Sequence, residues 1–252
     1  MSAVALPRAP AAPSAPAFDR RIVVGLCGGL LVVLVSGFNE NITKVALADI
    51  RGAMGFSVDD GSWIISVYSA MSVSAMAFAP WCAVTFSLRR FALVMIAAFM
   101  LLGVLCPLAP DLPTFLLLRA LQGLAGGALP PLLMSVALRF LPPGIKLYGP
   151  AGYALTATFG PSMGTPLAAL WVEHAGWQFA FWQIVPFCVA GMAMVGWGLP
   201  QDSPRLERFA QFNGVGLALG PPAPGLQVLG LTQGARPDRT DATMIPAILR
   251  SE

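Results

Sequence analysis

The chain has 252 residues, of which 56% are hydrophobic and only 11% charged, with a formal net charge of +3. Soluble domains carry about 25% charged residues, so this composition excludes a water-soluble globular domain. It fits an all-α integral membrane protein, with room for about six spans of roughly 20 residues each.

Residues 1–21 are read as a disordered tail, since 1–18 are rich in Ala and Pro and no signal-peptide pattern follows them. Asp19, Arg20 and Arg21 lead into a first predicted span over about 22–47. Its second half carries Asn39, Glu40, Asn41, Thr43 and Lys44. Glu40 and Lys44 are spaced i,i+4, on one helical face, where opposite charges pair. Two readings stay open. Either the span ends near Ser36 and these residues form a wetted helical extension, or Glu40 is a protonatable carboxylate beside a cavity. Asn41-Ile42-Thr43 matches a glycosylation sequon, but it lies within the predicted span and is discounted.

The second predicted span covers 62–86 and contains Tyr68, Ser69, Ser72 and Ser74. These hydroxyls suffice to line a cavity, although most serines in membrane helices satisfy backbone carbonyls. Arg89 and Arg90 follow, before a third span over 91–109.

The fourth span, 113–138, holds the most informative residue. Arg119 stands inside Leu116-Leu117-Leu118-Arg119-Ala120-Leu121-Gln122. A charge near the middle of a membrane helix costs roughly 2.5–3.5 kcal/mol on insertion scales, so it normally faces a polar interior and marks a functional site. The competing reading is a snorkelling arginine near a helix end. Gln122 follows on the same face, placed to bond a partner from the first span.

The fifth span, 147–171, has Gly160-Pro161 at mid-length, where proline removes a backbone donor and bends the helix. The sixth covers 179–199. Gly25/Gly29, Gly123/Gly127 and Gly160/Gly164 share the small-xxx-small spacing that lets helices approach closely. Residues 22–200 are therefore read as a six-helix transmembrane bundle, followed by a tail over 201–252.

Loop charges orient this bundle. Arg8, Arg20, Arg21, Arg89, Arg90, Arg139, Lys146, Arg205 and Arg208 fall on one side. Asp49, Arg51, Asp59, Asp60, Asp111, Glu173 and His174 fall on the other, with Arg51 the one Lys or Arg. The positive-inside rule places the N-terminus and the tail in the cytoplasm. The loop arginines give no support for a nucleic-acid surface. Cys27, Cys82, Cys106 and Cys188 are scattered through apolar stretches, and His174 is the single histidine. A metal site, another cofactor or a disulfide framework is therefore not expected.

Several stretches, in order, carry a family likeness. They are Asn39-Glu40-Asn41-Ile42-Thr43-Lys44-Val45-Ala46-Leu47, Gly61-Ser62-Trp63-Ile64, Arg119-Ala120-Leu121-Gln122-Gly123, Gly160-Pro161-Ser162-Met163-Gly164, and Gly176-Trp177-Gln178-Phe179-Ala180-Phe181-Trp182. In this order and spacing the chain resembles the major facilitator superfamily, specifically the N-terminal half of its fourteen-helix drug:proton antiporters. The resemblance implies two inverted three-helix repeats around a central cavity in the bacterial inner membrane, driven by the proton gradient. It also implies a proton-linked role for Arg119 and a hinge or seal formed by Gly160, Pro161 and Gly164.

Three departures from the family pattern stand out. The loop after the second helix has Val84 where relatives carry an aspartate, although Arg89 and Arg90 are retained. Asn39 aligns with the first-helix acid, and Glu40 beside it is turned by about 100° around the helix. Pro221, Pro222 and Pro224 interrupt 214–231, where a seventh helix would stand, each at a cost of about 3 kcal/mol.

These features predict proton-coupled efflux of drugs or other amphipathic small molecules by a truncated half-transporter. Asn39, Glu40, Lys44, Arg119 and Gln122 are its candidate coupling residues, and a second half or a homodimer is a possible partner. The alternative is a non-transporting six-helix remnant, or a subunit that needs a partner half. No H-E-x-x-H or G-x-S-x-G motif speaks for an enzyme, and no filter motif speaks for a channel.

Overall fold

The computed structural model describes residues 20–201, and the helices α1 (Arg20–Val45), α2 (Leu47–Met54), α3 (Val58–Phe86), α4 (Leu88–Leu105), α5 (Leu112–Phe140), α6 (Tyr148–Ala175), α7 (Phe179–Trp182) and α8 (Ile184–Gly198) build that part of the chain. Short 3-10 turns precede α5 and α6, and no strand occurs among the described residues. Arg20 and Arg21, read as the end of the disordered tail, open α1; the rest of that tail and the interrupted 214–231 segment lie outside the described residues.

Among the described residues, five stretches are long and apolar enough to cross a bilayer: Arg20–Val45, Val58–Ala83, Leu88–Leu108, Leu112–Phe140 and Phe179–Gly198. The remaining pass, α6, fifth along the chain, has the length, with 28 residues giving about 42 Å at 1.5 Å per residue. Thr156, Thr158, Ser162 and Thr165 make it less apolar than the others.

Close approaches at glycines fix how these passes run. Gly123 and Gly127 of α5 lie against the backbone of Tyr68 and Ser72 of α3, so α3 and α5 run in parallel. Gly160 and Gly164 of α6 meet Gly37 and Asn41 of α1, again in parallel. Gly25 and Gly28 of α1 meet Gly198 and Gly191 of α8 in reverse order, so that pair is antiparallel. The directions alternate along the chain, as an odd-up, even-down bundle requires.

The contacts also repeat. The pair α1·α6 has its counterpart in α5·α3, and α1·α8 in α5·α4, while α1·α5 and α4·α8 map onto themselves. Exchanging the unit α1, α3, α4 with the unit α5, α6, α8 thus preserves every one of these pairings and turns each helix over. That is an inverted three-helix repeat.

Details differ from the sequence expectation at three places. The first span stops at Val45, and the residues after it form a separate helix, α2, that the apolar pattern did not announce. Helix α3 begins before position 62 because Ser57 and Asp60 form a reciprocal cap. The Ser57 Oγ accepts from the Asp60 backbone N–H (3.2 Å), and the Asp60 carboxylate accepts from the Ser57 backbone N–H (2.9 Å). The sixth pass is interrupted at Gln183, between α7 and α8.

Prolines inside the helices do not end them: Pro80 sits in α3, Pro130 and Pro131 in α5, and Pro161 and Pro166 in α6. Side-chain hydroxyls take up backbone carbonyls nearby, as Ser135 does for Pro131 (2.8 Å) and Ser162 for Thr158 (2.9 Å).

Two apolar clusters form the core. One, around Val32, Val35, Ile96, Phe99, Ala125, Leu129 and Leu132, fills the end that carries the N-terminus of α1. The other, around Ile42, Ile50, Ile64, Phe115, Trp177 and Phe181, fills the opposite end. Asn39 on α1, and Arg119 and Gln122 on α5, fall between these two groups along their helices. The site lies at this waist.

Candidate functional site

Arg119 is 1% exposed and Gln122 and Asn39 are 0% exposed, so three strongly polar side chains share the buried waist. The guanidinium Nη1 donates to the Gln122 Oε1 at 2.7 Å, an i,i+3 contact within α5. The Cys106 thiol approaches the same oxygen at 3.9 Å. Gln122 thus pairs with Arg119 and not, as its position suggested, with the first span.

The guanidinium lies over two aromatic rings. Tyr68 of α3 lies 4.4 Å from its carbon, and Phe181 of α7 lies at 5.6 Å. A desolvated cation–π contact of this kind is worth about 2 kcal/mol. Arginine remains protonated inside proteins, so a full positive charge is held here. Among the described residues no carboxylate stands within ion-pair distance of it. The rings and one amide oxygen are its compensation.

That compensation is incomplete. Arg119 Nε, Gln122 Nε2, and both amide atoms of Asn39 are buried without a hydrogen-bond partner among the described residues. Each such atom costs about 1–3 kcal/mol, more where the group is charged. Orphaned polar atoms gathered at one level of an apolar bundle mark a candidate functional site.

A cavity of about 160 Å³ opens beside this layer, where α1, α3, α5 and α6 converge. Ser36 and Glu40, Tyr68 and Ser72, Pro130, and Tyr153 with Thr156 contribute to its wall. Tyr68 belongs to both features, for its ring faces Arg119 and its hydroxyl stands 3.5 Å from the Ser36 Oγ at the cavity wall. Glu40 is the one charged side chain in the lining. Its Oε1 accepts from the Lys44 Nζ at 2.8 Å, and the two side chains are 35% and 42% exposed.

The remaining predicted positions fall elsewhere. Gly160 and Gly164 let α6 approach α1; a Cβ on Gly164 would stand 3.1 Å from the Asn41 Cβ. Pro161, between them, lines the cavity. Arg89 and Arg90 start α4 at the far end of the bundle. With the Gln201 amide oriented to present its oxygen, Arg90 donates to it from Nη2 (2.8 Å) and Nε (3.3 Å).

Sequence reasoning took Tyr68 for a cavity hydroxyl and did not foresee its ring over Arg119. It gave no role to Ser36, Tyr153 and Thr156 in the cavity wall. The available signal was a tyrosine or threonine within an apolar span.

Comparison with known proteins decides the family. Residues 29–245 match the model described as Major Facilitator Superfamily. The chain belongs to the major facilitator superfamily. That membership makes it a multi-pass membrane protein of a transporter family rather than an enzyme. It is 28% identical over 156 residues to the probable multidrug resistance protein EmrY of Escherichia coli, covering 62% of this chain and 30% of that one. It is 25% identical over 209 residues to the multidrug export protein EmrB of Haemophilus influenzae, covering 82% of this chain and 41% of that one. The chain therefore spans well under half the length of these superfamily relatives. In fold it is similar to the inward-open xylose transporter XylE of E. coli, with a TM-score of 0.60 at 15% identity, covering 85% of this chain and 56% of that one.

Proposed function

We propose that this chain is the substrate- and proton-handling bundle of an efflux transporter that exchanges drugs or other amphipathic small molecules for protons. It lies in the bacterial inner membrane with its N-terminus in the cytoplasm and needs no cofactor beyond the proton gradient. The observation that carries this reading is Arg119, a fully buried cation without a carboxylate partner, joined through Tyr68 to a cavity whose single lining charge is the carboxylate of Glu40. A carboxylate that gains and loses a proton near a buried cation is the chemistry that couples proton entry to a change of helix packing. Glu40 carries the proton, Arg119 senses the charge, and Asn39 and Gln122 supply polar groups to the same layer. Gly160, Pro161 and Gly164 let α6 bend and seal against α1, while Arg89 and Arg90 steady the cytoplasmic end. Similarity to EmrB and EmrY supports drugs as the cargo.

The test is extrusion of a lipophilic cation dye by energised cells lacking their own pumps. Expression of the chain should lower dye retention, and Arg119→Ala should abolish that effect at equal membrane insertion. Unchanged extrusion by Arg119→Ala would remove the assigned role.

A second reading is favoured by the open side of the cavity. In it, the bundle transports only when a second bundle, another copy or a separate half, completes the cavity. Extrusion that appears only on co-expression of a second half would select it. A remnant that does not transport would remain silent under both conditions.

A further inference from the structure

We infer that Lys44 is a tethered competitor for the cavity's carboxylate and thereby sets which charge type of compound the cavity accepts. The inference rests on the reading of this cavity as the transported compound's site. Around Glu40 the wall is otherwise uncharged, with Val33, Ser36, Asn41, Tyr68, Tyr153 and Thr156 contributing to it. A wall with one carboxylate among uncharged groups and the Tyr153 ring suits a lipophilic cation, through ion pairing and apolar contact, while the Tyr68 ring is engaged by Arg119.

In this structure that carboxylate is already engaged. Lys44, one helical turn further along α1, holds the Glu40 Oε1 at 2.8 Å, yet Lys44 is not itself part of the cavity wall. The ammonium therefore cancels the one lining charge from outside the wall without filling the space. Neutral compounds enter a cavity whose net charge is zero. Cations enter only by displacing the ammonium, which has the exposure and the flexible stem to swing away. Lys44 thus acts as a specificity-determining residue that works through Glu40.

The test uses the full chain in lipid nanodiscs, with equilibrium binding of tetraphenylphosphonium and, as a neutral probe of similar shape, triphenylphosphine oxide. An i,i+4 pair at this exposure is weak, so Lys44→Gln is expected to tighten tetraphenylphosphonium binding about threefold, with Lys44→Arg like the unmodified chain. Affinity for the neutral probe should stay unchanged in both variants. Glu40→Gln should weaken cation binding and abolish the effect of Lys44→Gln in the double variant.

An equal gain in the Glu40→Gln background, an equal gain for the neutral probe, or no cation binding by any variant would each overturn the inference. Equilibrium binding requires no gradient, so these outcomes are separable from the efflux reading. If the inference fails while Arg119-dependent extrusion persists, only the role of Lys44 is lost; if extrusion also fails, the efflux reading falls with it.

Discussion

Arg119 is a charge placed where hydrocarbon would be expected, and the structure explains how the bundle tolerates it. One amide oxygen, the face of Tyr68 and the face of Phe181 surround the guanidinium. Tyr68→Leu should therefore destabilise the bundle by about 2 kcal/mol, whereas Tyr68→Phe, which keeps the ring, should cost less than about 1 kcal/mol. Thermal unfolding in detergent checks the difference. Ser87 offers a second prediction at this scale. It is the sole link between α3 and α4, has φ 81 and ψ 124, and is the one non-glycine residue with positive φ among those described. A side chain in that region costs about 1–3 kcal/mol, so Ser87→Gly should raise the unfolding temperature. A lowered temperature would mean that the buried hydroxyl matters more than the backbone. Arg119 and Gln122 were legible as polar residues in an apolar run. The rings over Arg119 were not, because α3 and α7 bring them there from distant parts of the chain. Asn39 and Glu40 show the same limit: the sequence places both on α1 and pairs Glu40 with Lys44, but only packing shows that Asn39 is buried while Glu40 faces the cavity.

Helices are assembled here by small residues more than by apolar stripes. Gly123 and Gly127 bring α5 onto the backbone of α3, so a Cβ at Gly127 would collide with the Ser72 main chain. Gly127→Val should cost upward of about 3 kcal/mol and abolish folded protein, because neither helix can retreat without opening the waist. Gly144→Ala, at a position with nothing within 4 Å, should leave yield and unfolding temperature unchanged. Size-exclusion profiles of the two variants check this. The Gly123/Gly127 spacing was visible in the sequence, as were the six apolar segments, since period and length suffice to identify them. The α1–α8 seam was less so. Gly25 and Gly28 oppose Gly191 and Gly198 across two helices, a pattern that only the antiparallel pairing makes meaningful. Helix α2 escaped notice because its single buried residue, Ile50, leaves no periodic signal. The interruption at Gln183 was legible instead, because Pro186 cannot donate to the Trp182 carbonyl; at the break the Gln183 side chain accepts from Trp171 Nε1 (2.9 Å) and donates to the Ala180 carbonyl (3.1 Å).

At the scale of the molecule, the exchange of α1, α3, α4 with α5, α6, α8 places Asn39 and Arg119 on equivalent helices, α1 and α5, at the centre of the bundle. Rocking of such a unit changes what lies against both helices at once, which gives a buried charge leverage over the whole bundle. The proposed orientation makes its own prediction. With the four native cysteines replaced, Lys146→Cys should react with a membrane-impermeant maleimide only after cells are opened, and His174→Cys in intact cells. The reverse pattern would invert the assigned topology. The central claim, that Arg119 couples the proton gradient to movement of an amphipathic compound, is met most directly in proteoliposomes containing the full chain. With an imposed pH gradient, the unmodified chain should move a lipophilic cation dye and collapse the gradient in step, while Arg119→Ala should do neither and Arg119→Lys should retain part of both. Dye movement and proton flux that persist unchanged in Arg119→Ala would contradict the account.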